Sequence, residues 1–231
     1  MDKRPSIIGT MFDRIAPTYD LLNTILSFSL DKAWRREAIN LLEIRPGDAV
    51  LDIATGTGDL AIPAARGGGN IIGIDLSRQM LLRAFGKARE QGLLRRYSVV
   101  QGDALSMPFR NETFNSAMVA FGIRNMNDLE AFLAEIHRVL SIRGRFSVLE
   151  FSLPKNSLFR WIYESYLTYV VPIIGGLISG DYDAYRYLRN SVTGFPVPGT
   201  LENIMKGQGF RVVGSRSIFW GISHLYLIEK Q

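Results

Sequence analysis

The feature that most constrains the fold is an apolar run that ends in a glycine turn. Residues 50–59 spell VLDIATGTGD, and a second apolar run, residues 71–75, follows one predicted helix later. Short apolar runs are typical of parallel strands buried on both faces, and Gly56 and Gly58 allow a tight turn and a close ligand approach. Asp75 ends the second run, where nucleotide-binding folds place an acid that accepts hydrogen bonds from ribose hydroxyls. We therefore predict a cofactor site.

Two cofactors compete for this turn. Residues 56–61, GTGDLA, also fit the glycine fingerprint of dinucleotide-binding proteins. A dinucleotide places its pyrophosphate at the helix N-terminus, whereas Asp52 and Asp59 put carboxylates on both sides of these glycines. Carboxylates repel a pyrophosphate but suit the sulfonium and α-ammonium groups of S-adenosylmethionine. The sequence favours S-adenosylmethionine over a dinucleotide or a purely structural turn.

Composition narrows the class of protein. With 231 residues, of which 47 % are hydrophobic, the chain can bury one substantial core. The absence of cysteine excludes disulfides, thiolate metal sites and cysteine nucleophiles. Neither His137 nor His224 stands in a metal-binding spacing, so we expect no metal. The first residues lack the apolar segment of a signal peptide, which favours a cytoplasmic protein.

The positive charge permits more than one kind of partner. A net charge of +5 is compatible with attraction to nucleic acid or to an anionic membrane surface. The basic groups lack the aromatic interleaving of RNA-binding sheets. We interpret them as solvated faces and expect no nucleic-acid partner. They are Arg35 with Arg36, Arg95 with Arg96, and Arg143 with Arg145.

Strands and helices alternate along most of the chain. Helical spacing covers residues 6–46 and ends at the Pro-Gly pair 46–47. Strands are then predicted at 49–53, 71–75, 97–101, 115–121 and 145–150, and helices at 58–66, 77–90 and 128–140. This rhythm predicts an α/β fold with a mostly parallel sheet and a site at the C-terminal ends of its strands.

We expect one domain in four parts. They are a helical cap (1–46), a cofactor-binding core (47–152), a helical substrate lid (153–209) and two C-terminal strands (210–231), the last from β-like runs at 210–217 and 224–229.

Residues 161–178 raise the question of a membrane. Spanning needs about 20 mostly apolar residues, and an ionised glutamate at that depth is costly. Because Glu164, Pro172 and two glycines interrupt this run, we predict that it does not span. Two interpretations stay open, a core helix and an amphipathic lid over an oily substrate. An aromatic group beyond it fits a packed corner or a ring-binding wall: Tyr182, Tyr185, Tyr187 and Phe195.

Three segments together carry a family resemblance. They are YDLLNTILSFSLDKAW at 19–34, FGIRN at 121–125 and RVLSIRGRFSVLEFS at 138–152. On these segments, and over nearly all of residues 10–230, the chain resembles the ubiquinone/menaquinone biosynthesis C-methyltransferases. Those are class I, Rossmann-like enzymes that use S-adenosylmethionine to methylate a polyprenylated quinol ring. The resemblance implies that cofactor, a lipid quinol substrate and transient contact with a membrane surface.

The chain departs from the family pattern at a few positions. The usual Met is Leu22, the usual His is Asp31, and the usual Lys-Pro-Gly-Gly turn is SIRG at 141–144. None of these removes an expected cofactor contact. Some ubiquinone-capable relatives carry a serine where this chain has Ala120, which favours demethylmenaquinol alone over dual specificity.

The resemblance also implies cofactor contacts. Thr57 would bind the methionine part, Asp75 the ribose, and Asp103 with Ala104 the adenine. The residue pattern of the glycine turn adds Asp52, Gly56 and Gly58 to these cofactor-binding candidates. The chemistry agrees, since a carboxylate after the third strand accepts from the adenine amine while a backbone N–H donates to a ring nitrogen. Two local alternatives stay open, a helix N-cap for Asp103 and a turn residue for Thr57.

Methyl transfer to a quinol carbon needs that carbon to be aligned with the methyl group, and it needs a more nucleophilic ring. Loss of a hydroxyl proton from the quinol makes the ring more nucleophilic. Arg124 would stabilise the phenolate and Asn125 would orient its oxygen, with Tyr19 and Asp20 on a helix that closes the site. An arginine is a poor base, so water or Asp20 would accept the proton. The structural alternatives are a surface ion pair for Arg124, a helix cap for Asn125 and a core position for Tyr19.

The sequence leaves other functions open. An NAD-dependent oxidoreductase would need a proton donor such as Tyr-x-x-x-Lys, which the sequence lacks. A basic peripheral membrane- or RNA-binding module would not need Asp75. A methyltransferase of this fold could act on another small acceptor. The prenyl length and the oligomeric state, including a homodimer, stay open.

Overall fold

The architecture is one mixed sheet with helices on both faces. The computed structural model describes residues 2–231, so Met1 of the predicted cap lies outside them. Within that range the sheet has seven strands in the order 3-2-1-4-5-7-6. They are β1 (Ala49–Ile53), β2 (Asn70–Asp75), β3 (Tyr97–Gln101), β4 (Phe114–Ala120), β5 (Leu140–Phe151), β6 (Phe210–Ile218) and β7 (Ser223–Lys230). In this described sheet β7 runs antiparallel to the other six strands, which are parallel to one another, so the mostly parallel prediction is confirmed.

The α-helices follow the predicted alternation. Those in residues 2–231 are α1 (Pro5–Ile15), α2 (Tyr19–Leu26), α3 (Leu30–Asn40), α4 (Ala61–Arg66), α5 (Arg78–Glu90), α6 (Leu129–Val139), α7 (Ser157–Ser165), α8 (Val171–Ser179), α9 (Tyr182–Thr193) and α10 (Pro198–Gly207).

Three predicted boundaries are wrong. Helix α4 begins at Ala61 instead of residue 58, because the glycine turn continues to Leu60. Helix α3 ends at Asn40, six residues before the Pro-Gly pair, because the chain turns there and Glu43 adopts a positive φ of 51°. Strand β5 begins at Leu140 instead of 145, since Leu140 is already extended where α6 ends.

The centre of the sheet is buried on both faces. Val50 and Leu51 on β1 point to opposite faces and are fully buried. One face packs on α6 and α10 and the other on α3 and α4. The chain reverses its direction of winding at β1, which lies between β2 and β4. Such a switch point leaves a crevice at the C-terminal ends of the strands.

A third hydrophobic cluster covers that crevice. It joins α1 and α2 of the N-terminal cap to α7, α8 and α9. Gly175 and Gly176 allow α8 and α9 to approach closely, since a Cβ at Gly175 would lie 2.3 Å from the ring of Tyr185. Tyr182 packs on Gly176 in the same way, so this part of the aromatic group is a packed corner.

One helical stretch in residues 2–231 has the length and apolar composition to cross a membrane. It runs over Ser157–Ser179, comprises α7, a π-helical turn and α8, and has a mean hydropathy of 1.2. Tyr163 and Val171 on one side are buried in the third cluster, whereas Trp161 and Leu177 on the other are 67 % and 72 % exposed. The stretch is therefore amphipathic, with one face packed on the protein.

Candidate functional site

The glycine turn is tied directly to the acid at the end of β2. The Asp75 carboxylate accepts the N–H of Gly56 at 2.8 Å on one oxygen and the N–H of Ser77 at 2.8 Å on the other. Gly56 and Gly58 have positive φ values of 54° and 82°, a conformation that suits glycine. Burial raises the pKa of Asp75 to about 6. A carboxylate has about four acceptor sites, so this one keeps capacity for two ribose hydroxyls.

A second buried acid lies beneath the turn. Asp52 is 1 % exposed and accepts a hydrogen bond from the Thr55 hydroxyl at 2.5 Å. Burial raises its pKa to about 7. Asp52, Gly56, Thr57 and other residues line a cavity of only about 20 Å³, roughly the space of one water molecule. The space beside the glycine turn is therefore nearly filled by protein atoms in this conformation.

Polar contacts hold the N-terminal cap on this turn. The Thr57 hydroxyl donates to Asp20 at 2.6 Å, and Lys87 donates to Asp20 at 2.9 Å and to Asp59 at 2.6 Å. These bonds join α2, the turn and α5. No sequence motif pointed to Lys87, because its partners are distant in the chain. We call the four hydrogen-bonded residues Asp20, Thr57, Asp59 and Lys87 the Asp20 latch.

The residues predicted for adenine follow β3, next to Asp75. The backbone N–H of Gly102 donates to the Asp75 carbonyl at 3.0 Å. The Asp103 carboxylate accepts the N–H of Leu105 at 2.9 Å and closes a turn. The helix N-cap alternative is wrong, since a turn follows β3. Ala104 is buried in the main core.

A second, larger cavity lies between the N-terminal cap and helices α7 to α9. Its volume is about 440 Å³, within the usual range for small-molecule sites, and its walls are mainly aromatic and aliphatic. Tyr19 and Arg35 line both cavities, so the two sites meet at these residues. Tyr185 and Tyr187 line the larger one, which makes this part of the aromatic group a wall.

The floor of the larger cavity is a stack of charged and aromatic groups. The Phe121 and Phe151 rings are stacked with centroids 4.4 Å apart. The Arg35 guanidinium lies 5.2 Å from the Phe121 centroid and that of Arg124 lies 5.2 Å from the Phe151 centroid. Such cation–π contacts are favourable where water is excluded. The interpretation of Arg35 as part of a solvated face is wrong, because only 6 % of the residue is exposed.

Arg124 is committed to a buried ion pair. Its guanidinium lies 2.8 Å from Glu150 and also bonds the Phe121 carbonyl, and Glu150 accepts the Arg124 backbone N–H at 3.1 Å. The side chains of Arg124 and Glu150 are 7 % and 1 % exposed. Arg124 therefore forms an ion pair, but the pair is buried, so the alternative of a surface ion pair is wrong. Arg124 lines the cavity, but its charge is already balanced.

The other predicted catalytic residues are placed differently. Tyr19 lies where the cavities meet, and burial raises its pKa. Asn125 is not among the described lining residues; its amide oxygen accepts from the Tyr187 hydroxyl at 3.1 Å, so it reaches the cavity through Tyr187. Asp20 lines neither of these cavities.

Comparison with known proteins identifies the family. The model of the ubiE/COQ5 methyltransferase family matches residues 1–230. The chain belongs to this family. A demethylmenaquinone methyltransferase from Thermus thermophilus is 45 % identical over 204 residues, 87 % of this chain and 92 % of the relative. A ubiquinone/menaquinone biosynthesis C-methyltransferase, UbiE, from Syntrophotalea carbinolica is 45 % identical over 228 residues, 97 % and 92 % of the two chains.

Solved structures agree on the fold of this ubiE/COQ5 family member. A methyltransferase from Aquifex aeolicus that depends on S-adenosylmethionine matches with a TM-score of 0.63 at 15 % identity, over 85 % of this chain and 89 % of that one. The cyclase SpnF matches with a TM-score of 0.73 at 16 % identity, over 96 % and 95 %. The class I methyltransferase fold predicted from the sequence is confirmed.

Proposed function

We propose that this chain transfers a methyl group from S-adenosylmethionine to a ring carbon of a polyprenylated quinol, with demethylmenaquinol as the preferred acceptor. The observation that carries the proposal is the junction of an apolar cavity of about 440 Å³ with the glycine-turn site at Tyr19 and Arg35. The names of the relatives, demethylmenaquinone methyltransferase and UbiE, support the same acceptor class.

The residues at the turn fit S-adenosylmethionine by their chemistry. Asp75 has acceptor capacity for the ribose, and the carboxylates of Asp52 and Asp59 suit its positive charges. Thr57 is the candidate for the methionine part once its hydroxyl is released from Asp20. When bound, the cofactor supplies an electrophilic methyl group on a sulfonium.

The larger cavity fits a quinol with a hydrocarbon tail. Its apolar walls exclude water, while Tyr19, Arg35 and Arg124 supply polar groups at the floor. Arg124, fixed by Glu150, is the candidate for orienting a ring oxygen, and Asn125 would act by fixing the hydroxyl of Tyr187. Fixed polar groups on an apolar wall favour alignment of the ring over rotation within the site.

A peripheral contact with the bilayer would deliver this substrate. Phe28 and Trp220 line the cavity and are 78 % and 70 % exposed, and Trp161 and Leu177 extend the apolar surface along the amphipathic stretch. Exposed aromatic groups of this kind favour the membrane interface. We propose that the mouth of the cavity rests on the membrane surface and that the stretch does not span.

Membrane binding can be tested with sedimentation of anionic lipid vesicles. Release by high salt or carbonate supports a peripheral contact, and a requirement for detergent contradicts it. Trp220→Ala should reduce the bound fraction, because it removes an aromatic anchor at the mouth. Phe85→Ala is the matched control, since Phe85 is exposed on α5 and lines neither cavity described above. Equal losses for the two variants would argue against the mouth as the contact.

Substrate choice can be tested by competition. Demethylmenaquinol and the corresponding ubiquinone precursor, both with short prenyl tails, are offered together and the products are separated by mass spectrometry. We expect the naphthoquinol to be methylated preferentially. Ala120 lines the cofactor cavity, so Ala120→Ser tests whether that position widens the specificity. Equal rates for both acceptors in the parent protein would support dual specificity.

A further inference from the structure

The larger cavity contains few groups that could take a proton from a substrate. Among the residues of 2–231 that line it, the titratable ones are two arginines, five tyrosines and one carboxylate, that of Asp31. An arginine stays protonated and offers donors only. The tyrosines also remain protonated near neutral pH, because burial raises the pKa of each. They are Tyr19, Tyr163, Tyr166, Tyr185 and Tyr187.

The Asp31 carboxylate is held in a defined position. It lies in the first turn of α3, after Ser29 at a positive φ of 62°. The Ser27 hydroxyl donates to one carboxylate oxygen at 2.6 Å, and Arg35, one turn along α3, pairs with the other. Asp31 is 5 % exposed, so few water molecules compete for it. Each oxygen keeps one acceptor site beyond these bonds.

From this placement we propose that Asp31 is the proton acceptor for the quinol hydroxyl, with Ser27 and Arg35 as its positioning residues. The proposal rests on the proposed function and adds the base to it. It replaces Asp20 in that role, since Asp20 is bound by Thr57 and Lys87 and lines neither of the two cavities.

Every proton released in this step has an acceptor. The hydroxyl O–H bond breaks, its proton moves to an oxygen of Asp31, and the electron pair stays on the substrate as a phenolate. That pair raises the nucleophilicity of the ring carbon, which forms the new bond to the methyl carbon. The bond between that methyl carbon and the cofactor sulfur breaks at the same time, its electron pair stays on the sulfur, and S-adenosylhomocysteine is the leaving group. The methylated carbon then releases its hydrogen as a proton and the ring becomes aromatic again. The proton on Asp31 returns to the oxygen, so one proton per turnover reaches the solvent.

Binding of a phenol tests the contact without any methyl transfer. Naphthol and its methyl ether have similar rings, but only naphthol has a hydroxyl proton to donate. Asp31→Asn should weaken naphthol binding to the full chain by about tenfold and leave the ether unchanged, because one charge-assisted hydrogen bond is lost. Asp183→Asn is the control, since that carboxylate is 83 % exposed on α9. Equal losses for naphthol and its ether would overturn the proposal and show a structural role.

Kinetics test the base directly. In single-turnover methylation of demethylmenaquinol, Asp31→Asn should lower the rate by about 10² to 10⁴, the range for loss of a general base. The rate of this variant should rise with pH, since hydroxide then replaces the carboxylate, and Asp31→His should recover part of it. A folded Asp31→Asn variant with a near-normal rate would overturn the inference. If the parent protein methylates no quinol, the proposed function fails, while the naphthol result still decides whether Asp31 contacts a hydroxyl.

Discussion

Separation of the Arg124–Glu150 pair should destabilise the protein severely. Both side chains are at least nine-tenths buried and lie 2.8 Å apart. Removal of one partner leaves an unpaired buried charge, which costs about 3–5 kcal/mol. We therefore expect Arg124→Met to lower the free energy of unfolding by about that amount. For a chain of this size each kcal/mol corresponds to roughly 2–4 °C, so Tm should fall by about 6–20 °C.

The pair can be measured by a double-mutant cycle in urea denaturation. Glu150→Gln is the partner change, because its amide oxygen can keep one of the two backbone N–H groups that Glu150 now accepts. These are Arg124 N–H at 3.1 Å on one carboxylate oxygen and Phe151 N–H at 2.8 Å on the other. The double variant Arg124→Met with Glu150→Gln leaves no charge unpaired, so it should be more stable than Arg124→Met alone. If Arg124→Met stays within about 1 kcal/mol of the parent, the pair behaves like an exposed one and the reasoning is refuted.

The same cycle separates folding from chemistry. If Arg124 also orients the substrate, the double variant should regain stability and still lose single-turnover rate at saturating S-adenosylmethionine. Arg124→Lys should recover little of the rate, since one ammonium nitrogen cannot reproduce the planar guanidinium. Its Nη1 donates to Glu150 and to the Phe121 carbonyl, while its Nε donates to the Ser191 hydroxyl at 3.3 Å. A double variant with near-normal turnover would leave Arg124 with a structural role only.

Three further predictions follow from the site. Asp75→Ala should weaken S-adenosylmethionine binding by one to two powers of ten in calorimetry, since charge-assisted hydrogen bonds contribute about 1.5–3 kcal/mol; unchanged affinity in the folded variant would refute the ribose role. Asp20→Asn weakens the Asp20 latch over a cavity of about 20 Å³ and should raise the stopped-flow association rate of the cofactor, whereas an unchanged rate would show that the latch does not limit entry. Burial raises the pKa of Asp52 from 3.8 to about 7, so folding binds a proton there and the stability from this group falls as pH rises from about 4 to 7. Asp52→Asn should make that slope shallower, and an identical slope would contradict the buried carboxyl.

The sequence predicted the parts of this structure that depend on local patterns. Apolar runs predicted the strands at 49–53 and 97–101 and the position of Asp75 at the end of β2. The glycines predicted the turn, where Gly56 and Gly58 adopt positive φ values. The burial of Arg35 and Asp31 could not be predicted in this way. A basic residue on an amphipathic helix normally faces water, and here burial arises from packing of the N-terminal cap against α7 to α9.

The latch shows the same limit at longer range. Asp20 and Lys87 are 67 positions apart, and nothing in either local sequence points to the other. The resemblance to the family identified the segments of the site, but it did not show that Arg124 is paired with Glu150 or that Asn125 contacts Tyr187. Those contacts come from the register of β4 against β5 and from the placement of α9.

The position of the transferred methyl group on the product tests the proposed C-methylation most directly. The purified chain is incubated with demethylmenaquinol and S-adenosylmethionine that carries a deuterated methyl group, and the product is fragmented by mass spectrometry. We expect the label on the unsubstituted carbon of the quinol ring. A label on a quinol oxygen, or no transfer by a folded protein that binds the cofactor, would contradict it.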